Sequence, residues 1–299
     1  MFKYGKAICY QGYRKGHSPI LGICPTKEQV LEDLLILDQE FDYIRVYDTS
    51  LHTIDILEVI DEYKINIKVM ISMYLFVEEN HIEHPIFNSI DNNILEENIM
   101  KNNSLCKDVI DLANKFGDII FSISVGNEAR STWNVNRVSD KRISELVKII
   151  QKKVSQPVTF CEEWKYWLTD LPLTAAAADF ISIHSYPVWN AVDIDTAISE
   201  TDRHLEAVKN RYPNKNIIIT EAGWPTKTDE NKIPKEWATI NNQTKYYQDM
   251  EVWAEKNQTI VFIFEAFDEP WKGSLNPTDP EKNWGLYYDD RSKKDKEWQ

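Results

Sequence analysis

The sequence contains no run of about 18 apolar residues, the length that a membrane-spanning helix needs. It also lacks an excess of basic residues: 48 Asp and Glu outnumber 34 Lys and Arg, and the net charge is −14. A surface of that sign repels phosphate backbones and anionic lipid headgroups, which argues against nucleic acid and membrane surfaces as partners. The N-terminal stretch MFKYGKAICYQGY lacks the long apolar core of a signal peptide. We favour a secreted or periplasmic protein whose leader has been removed over a cytoplasmic one.

Cysteine is scarce and unpaired in the sequence. The cysteines lie far apart and form no CxxC motif, at Cys9, Cys24, Cys106 and Cys161. This spacing argues against zinc and redox motifs and favours four buried free thiols over disulfides. His81 and His84, three apart in HIEH, would suit a metal only on a helix. Their surroundings are polar and loop-like, so we expect neither a metal site nor a cofactor.

A glycine-rich phosphate loop and low-complexity linkers are also missing, which argues against a dinucleotide-binding fold and for one domain over residues 1–299. What is present is a series of β-rich apolar runs separated by segments with helical spacing. The runs begin at Lys6, Tyr43, Ile67, Ile119, Pro157, Phe180, Asn216 and Thr259. Near-continuously apolar strands that alternate with helices indicate a parallel sheet covered by helices, and eight such units predict a single (β/α)8 TIM barrel.

The intervening segments have apolar residues at helical spacing. The stretch EQVLEDLLILDQEF places Val30, Leu34 and Leu37 on one face of a helix. Similar patterns cover 53–63, 93–116 and 140–154 and follow Leu171, Ile194 and Ile240. We predict a loop at the barrel rim from Phe76 to Asn93, and a charged C-terminal tail from Asp289 that frays.

Polar and aromatic residues gather where the predicted strands end, which is where such barrels place their active sites. They are Arg45, Tyr47, Asp48, Asn127, Glu128, Glu162, Glu163, Trp164, His184, Tyr186, Glu221, Trp224, Glu265, Asp268, Glu269, Trp271 and Lys272. Cleavage of a glycosidic bond needs two facing carboxyl groups, one protonated to donate to the leaving oxygen and one ionised to attack or to activate water. Flat aromatic faces suit the C–H faces of pyranose rings.

A structural interpretation of the same residues is open, because a glutamate at a strand end is ordinarily a solvated rim residue or an ion-pair partner. The joint pattern favours chemistry: Asn127 and Glu128 end strand four, Glu221 ends strand seven, and aromatic residues follow both. Arg45 and Asp48 could equally pair with each other below the site. A structural role is favoured for Glu162, Glu163 and Glu265.

Seven short motifs occur in the order found in one family: CYQGY, IRVYD, SVGNEA, SYP, TEAGWP, FDEPWK and NWGLYYDD. With them the chain resembles glycoside hydrolase family 17, the β-1,3-glucanase family, over nearly its whole length. Plant members carry Glu-Thr-Tyr leading into strand eight, where this chain reads TIVFIFEAFDE. It is therefore similar to the compact bacterial and fungal branches, which include both hydrolases and transglycosylases.

The resemblance implies that Glu128 is the general acid/base and Glu221 the nucleophile of a retaining mechanism, with their carboxyl groups about 5–5.5 Å apart. The substrate-binding residues that we predict are Asn127, Tyr47, Tyr186, Trp189, Trp224, Glu269, Trp271 and Lys272. At least two of the three tryptophans among them should line the cleft.

The predicted function is that of a monomeric endo-β-1,3-glucanase that hydrolyses laminarin-type glucan. The first alternative is a β-1,3-glucan transglycosylase, which passes the same glycosyl-enzyme to another sugar. The second is a non-catalytic glucan-binding protein on the same fold, which the presence of both carboxylates disfavours.

Overall fold

The computed structural model describes residues 2–80 and 89–295. A closed barrel of eight parallel strands forms its centre; each strand pairs with the next in sequence, and the last returns to the first. The strands are β1 Ala7–Cys9, β2 Tyr43–Val46, β3 Lys68–Met73, β4 Ile120–Asn127, β5 Val158–Glu163, β6 Ile181–His184, β7 Ile217–Ala222 and β8 Val261–Ile263. The predicted (β/α)8 barrel is confirmed. Each strand is shorter than the run that predicted it, because the last residues of the runs leave the ladder to form the rim.

The helices cover the outside of the barrel. They are α1 Lys27–Leu37, α2 Leu51–Tyr63, α3 Asn92–Lys115, α4 Asp140–Gln151, α5 Trp164–Thr169, α6 Pro172–Ala177, α7 Ala197–Arg211 and α8 Ile240–Asn257. Every predicted helical pattern forms a helix, and α1 buries Val30, Leu34 and Leu37 as expected. Helix α5 was not predicted, because its first residue, Trp164, continues the apolar run of β5. No helix within 2–80 or 89–295 is long and apolar enough to cross a membrane.

Side chains along each strand alternate between the outside and the inside of the barrel. The outward side chains form one apolar layer, and the inward side chains form a second apolar cluster and a set of polar groups. Ile44 and Val46 of β2 pack outward in the layer between the sheet and the helices. Between them Arg45 points into the barrel and is fully buried. The interior itself holds a smaller apolar cluster, with Cys9, Met70, Cys161, Phe180, Ile218 and Phe262 among its members. Successive inward residues therefore lead from this cluster to the carboxyl ends of the strands.

All four cysteines are free, and Cys9, Cys106 and Cys161 are buried as predicted. The prediction is wrong for Cys24, which is exposed in the loop between β1 and α1. Its neighbours Ile20 and Leu21 are also exposed, so this loop projects from the barrel instead of packing on it. His81 and His84, and part of the predicted rim loop, lie outside the described residues.

The charged tail does not fray over the residues that the structure describes, so that prediction is wrong up to Asp295. Arg291 is buried and forms a two-pronged ion pair with Asp33 of α1, with both N–O distances at 2.6 Å. Lys294 is buried as well and donates to Asp268 at 2.7 Å. The buried carboxylates of Asp33 and Asp268 thus stabilise two cationic side chains of the tail that would otherwise stay in water.

Replacing Asp33 with alanine should lower the free energy of unfolding by about 3–5 kcal/mol, because it leaves the buried guanidinium of Arg291 without its partner. Chemical denaturation measures this loss. The matched control is Glu32→Ala: the side chain of Glu32 is 55% exposed, and its ion pair with Arg14 should contribute less than about 1 kcal/mol. Equal losses in the two variants would contradict the importance of the buried pair.

Candidate active site

The carboxylate of Glu221, at the end of β7, accepts hydrogen bonds on both oxygens. Arg45 Nη1 and Tyr47 Oη donate to Oε1 at 2.5 and 2.9 Å. Tyr186 Oη donates to Oε2 at 2.8 Å. Burial, then the charge of Glu221, raise the pKa of Tyr186 well above its ordinary value, so its hydroxyl stays a donor. The environment of Glu221 therefore favours the ionised form.

Arg45 links Glu221 to a second strand end. Its Nη2 donates to Asn127 Oδ1 at 2.5 Å, so the guanidinium spans the barrel interior from β2 to β4 and β7. The alternative that Arg45 and Asp48 pair below the site is wrong. Asp48 instead accepts from the hydroxyl of Thr53 at 2.7 Å and holds the start of α2.

Glu128 directly follows β4 and has a backbone conformation that residues other than glycine rarely adopt. Its φ is +50°, in the left-handed region, and Gly126 before it has a φ of +99°. A Cβ atom on Gly126 would lie 2.5 Å from Cδ1 of Leu75, so only glycine fits there. The turn aims Glu128 inward, where it is buried and lies 2.8 Å from Nδ1 of His184.

The two carboxyl groups face each other across a short gap. One oxygen of Glu128, one oxygen of Glu221 and a ring nitrogen of His184 all lie within 4.8 Å of one another. Carboxyl groups about 5–5.5 Å apart belong to retaining glycosidases, whereas inverting enzymes leave about 6.5–9.5 Å for a water. Oxygens within 4.8 Å of each other are closer than the inverting separation, and retention stays a prediction.

The surroundings move the proton affinities of the two groups in opposite directions. Burial, then the negative charge of Glu221, raise the pKa of Glu128 well above its ordinary value. Burial opposes ionisation of Glu221 too, but His184, Arg45 and the hydrogen bond from Tyr186 outweigh it and lower its pKa. A protonated acid beside an ionised carboxylate is the division of labour that double displacement needs.

Glu162 holds the turn that carries Glu128. It is fully buried at the end of β5 and accepts from the backbone N–H of Arg130 at 2.8 Å and from the hydroxyl of Ser131 at 2.6 Å. Burial and the charge of Glu128 raise the pKa of Glu162 to about 8. The contacts of Glu162 are structural, and the segment that they hold directly follows Glu128.

The substrate role predicted for Trp224 is wrong. Its side chain is 1% exposed, packs on Trp237 and Tyr246, and donates from Nε1 to the carbonyl of Trp237 at 2.8 Å. The indole is therefore buried against α8, which carries Tyr246, and is not accessible to a substrate.

Two further predicted substrate residues, Trp189 and Trp271, follow the carboxyl ends of β6 and β8. Trp189 is partly exposed and packs on Trp284, which in turn packs on Tyr186. Trp271 is partly exposed and donates to Glu269 Oε2 at 2.9 Å. Their contacts with sugar stay predictions.

Lys272 and Glu269 form an ion pair at 3.1 Å, and Lys272 also reaches Glu265 at 2.5 Å. Glu269 is 1% exposed, so its carboxylate faces protein groups rather than solvent. Glu269 and Lys272 are thus paired with each other, and their contact with substrate stays a prediction.

The sequence places His184 at a strand end but predicts no role for it. It is paired in register with Glu221 between β6 and β7 and lies 3.5 Å from that carboxylate, as well as beside Glu128. Its position at an inward strand end was the available signal. Its contact with both carboxylates depends on the barrel register, which the sequence does not display.

Replacing Arg45 with methionine should move the acid limb of kcat/KM to higher pH. Arg45 helps to lower the pKa of Glu221; without it that pKa rises, and less of the carboxylate is ionised on the acid side. A pH profile measured with a nitrophenyl β-glycoside checks this. Arg45→Lys keeps the charge and should move the limb less. An unmoved limb in the methionine variant would exclude this role.

A closed parallel barrel with two carboxyl groups facing each other at the strand ends, their pKa values shifted in opposite directions, is the arrangement of a (β/α)8 glycoside hydrolase. The chain belongs to the family described as the BtgE/BtgC glycoside hydrolase domain, whose model matches residues 7–285. The resemblance to glycoside hydrolase family 17 is confirmed.

Similar proteins fall into the same class. The putative glucan endo-1,3-beta-glucosidase btgC of Aspergillus niger is 28% identical over 289 residues, which cover 88% of this chain and 38% of that protein. The glucan 1,3-beta-glucosidase of Schizosaccharomyces pombe is 29% identical over 189 residues, covering 59% of this chain and 57% of that protein. The crystal structure of an endo-laminarinase from Formosa Hel1_33_131 superposes with a TM-score of 0.78 and 25% identity, covering 95% of this chain and 83% of that one. The chain thus spans only part of the length of the first two relatives.

Proposed function

We propose that this chain is a retaining endo-β-1,3-glucanase that hydrolyses laminarin-type glucan by double displacement. The observation that carries the proposal is the facing pair, with oxygens of Glu128 and Glu221 within 4.8 Å and their pKa values moved in opposite directions. The names of the relatives, a glucan endo-1,3-beta-glucosidase and an endo-laminarinase, support the β-1,3 linkage and internal cleavage.

In the first step Glu221 attacks the anomeric carbon while Glu128 gives its proton to the glycosidic oxygen. The bond from carbon to the leaving oxygen breaks, and a glycosyl-enzyme ester forms on Glu221. The negative charge of Glu221 is then gone, so the main charge that raised the pKa of Glu128 disappears. Glu128 can now remove a proton from water, which attacks the same carbon and releases the sugar with its configuration retained.

Digestion of linear and branched β-1,3-glucans, with products resolved by size over time, tests this proposal. We expect a mixture of shorter oligosaccharides at early times, with the β-anomer formed first when the reaction is followed by NMR. Chains longer than the substrate would instead show the transglycosylase alternative. No turnover on either glucan would show the non-catalytic alternative, and a first-formed α-anomer would exclude retention.

A further inference from the structure

Trp133, on the loop that follows Glu128, is exposed to solvent over 59% of its surface. Every other tryptophan within residues 2–80 and 89–295 is buried or partly buried. A single exposed apolar residue is ordinary on a protein surface and by itself indicates nothing. What distinguishes Trp133 is that its ring and its loop are held in place beside the acid/base.

The loop is attached to Glu128 on both sides of Trp133. The backbone N–H of Ser131 and the side-chain Nδ2 of Asn134 both donate to the carbonyl of Glu128, each at 3.1 Å. The indole Nε1 of Trp133 donates to Glu163 Oε1 at 3.4 Å, at the end of β5. An exposed aromatic ring with its orientation set in this way loses little entropy when a ligand covers it.

A second exposed aromatic residue is joined to the same loop. Tyr74 directly follows β3 and is 42% exposed, and its hydroxyl accepts from Asn136 Nδ2 at 2.6 Å. Its ring packs against Phe76 with an edge-to-face geometry and a centroid distance of 5.2 Å. Two oriented aromatic faces thus flank the exit of β4.

The reaction determines which part of the glucan lies on the side of the barrel that carries Glu128 and Trp133. Glu128 gives its proton to the oxygen that joins the two parts of the glucan, and the sugar on that oxygen is the one that leaves. The glycosyl part is bound at its anomeric carbon to Glu221, on β7. The leaving part therefore extends from the Glu128 side. The indole of Trp133 donates to Glu163, and the charge of Glu163 helps to raise the pKa of Glu128 after burial and Glu221.

We propose that Trp133, with Tyr74 on the same hydrogen-bonded loop, is the platform that binds the leaving part of the β-glucan chain. The C–H face of a glucose unit stacks on the indole, and its hydroxyl groups stay in water. This proposal rests on the proposed function, since it assumes that the substrate is a glucan and that Glu128 is the acid.

Trp133→Ala tests the platform with two substrates. The first is a laminari-oligosaccharide long enough to place two glucose units on the leaving side. The second is a nitrophenyl β-laminaribioside, which has no sugar there. We expect KM for the oligosaccharide to rise about three- to tenfold, while kcat/KM for the nitrophenyl substrate stays unchanged. Trp133→Phe, which keeps an aromatic face, should recover most of the loss.

The matched control is Tyr63→Ala at the end of α2, where the tyrosine is 53% exposed at the opposite end of the barrel. It should leave both substrates unaffected. Equal losses on both substrates in Trp133→Ala would overturn the platform and make Trp133 a support for Glu128, and an unchanged KM for the oligosaccharide would overturn it as well. If the unaltered chain cleaves neither substrate, the proposed function fails first and the platform with it.

Discussion

Replacing Glu221 with glutamine is expected to lower kcat by about 10⁴-fold or more, because an amide cannot attack the anomeric carbon. Binding should survive, since the amide keeps nearly the shape of the carboxylate and its oxygen can still accept from Arg45 and Tyr47. Hydrolysis of laminarin measures the first effect, and titration with laminari-oligosaccharides measures the second.

The same assignment can be checked by trapping. A 2-deoxy-2-fluoro laminaribiosyl fluoride should form a long-lived ester on the unaltered enzyme, and mass spectrometry should place it on the peptide that contains Glu221. The label should be missing from the glutamine variant. A label on the peptide of Glu128, or full turnover by the variant, would show that Glu221 is not the nucleophile.

Replacing Glu128 with alanine is expected to reduce hydrolysis of natural glucan by about 10²- to 10⁴-fold, the usual contribution of a general acid. A dinitrophenyl glycoside needs no proton for its leaving group, so the first step should be affected far less with that substrate. The acid limb of the unaltered enzyme's pH profile should report the coupled pair rather than Glu221 alone.

Reaction with azide tests which of the two carboxylates attacks the anomeric carbon. Azide needs no base, so it should restore part of the turnover of Glu128→Ala on the dinitrophenyl substrate and give a β-glycosyl azide. The β configuration follows from a second inversion at a carbon already bound to Glu221. An α-glycosyl azide from this variant would mean that Glu128 is the attacking group and would reverse the assignment.

The barrel and the meeting of Glu128 and Glu221 at one face could be predicted because their signals are local. β-branched runs define the strands, and the position of a residue at the carboxyl end of a strand brings Glu128 and Glu221 to one face wherever the loops go. The inward position of Arg45 follows from alternation along β2. Its ion pair with Glu221 instead of Asp48 does not. That pairing depends on β7 facing β2 across the interior, which appears only when the barrel closes.

The errors arose where a distant contact decides the outcome. Trp224 follows Gly223, where a Cβ atom would lie 2.2 Å from the carbonyl oxygen of Phe264, so β7 and β8 leave the barrel in close contact. The indole that follows packs on Trp237 and Tyr246, and nothing near Trp224 in sequence indicates this packing. The tail was predicted to fray because it is charged, yet Arg291 pairs with Asp33 at a sequence separation of 258 residues.

The reach of Arg45 across the barrel has a consequence for how the enzyme becomes active during folding. Its guanidinium contacts groups on β4 and β7 that only a closed barrel brings together. Pairings this remote in sequence form late, because the entropy of closing long loops must be lost before they contribute. An intermediate with its helices formed and its strands still open would hold Glu221 without this cation. Recovery of activity during refolding should therefore follow barrel closure and lag behind the return of helical structure.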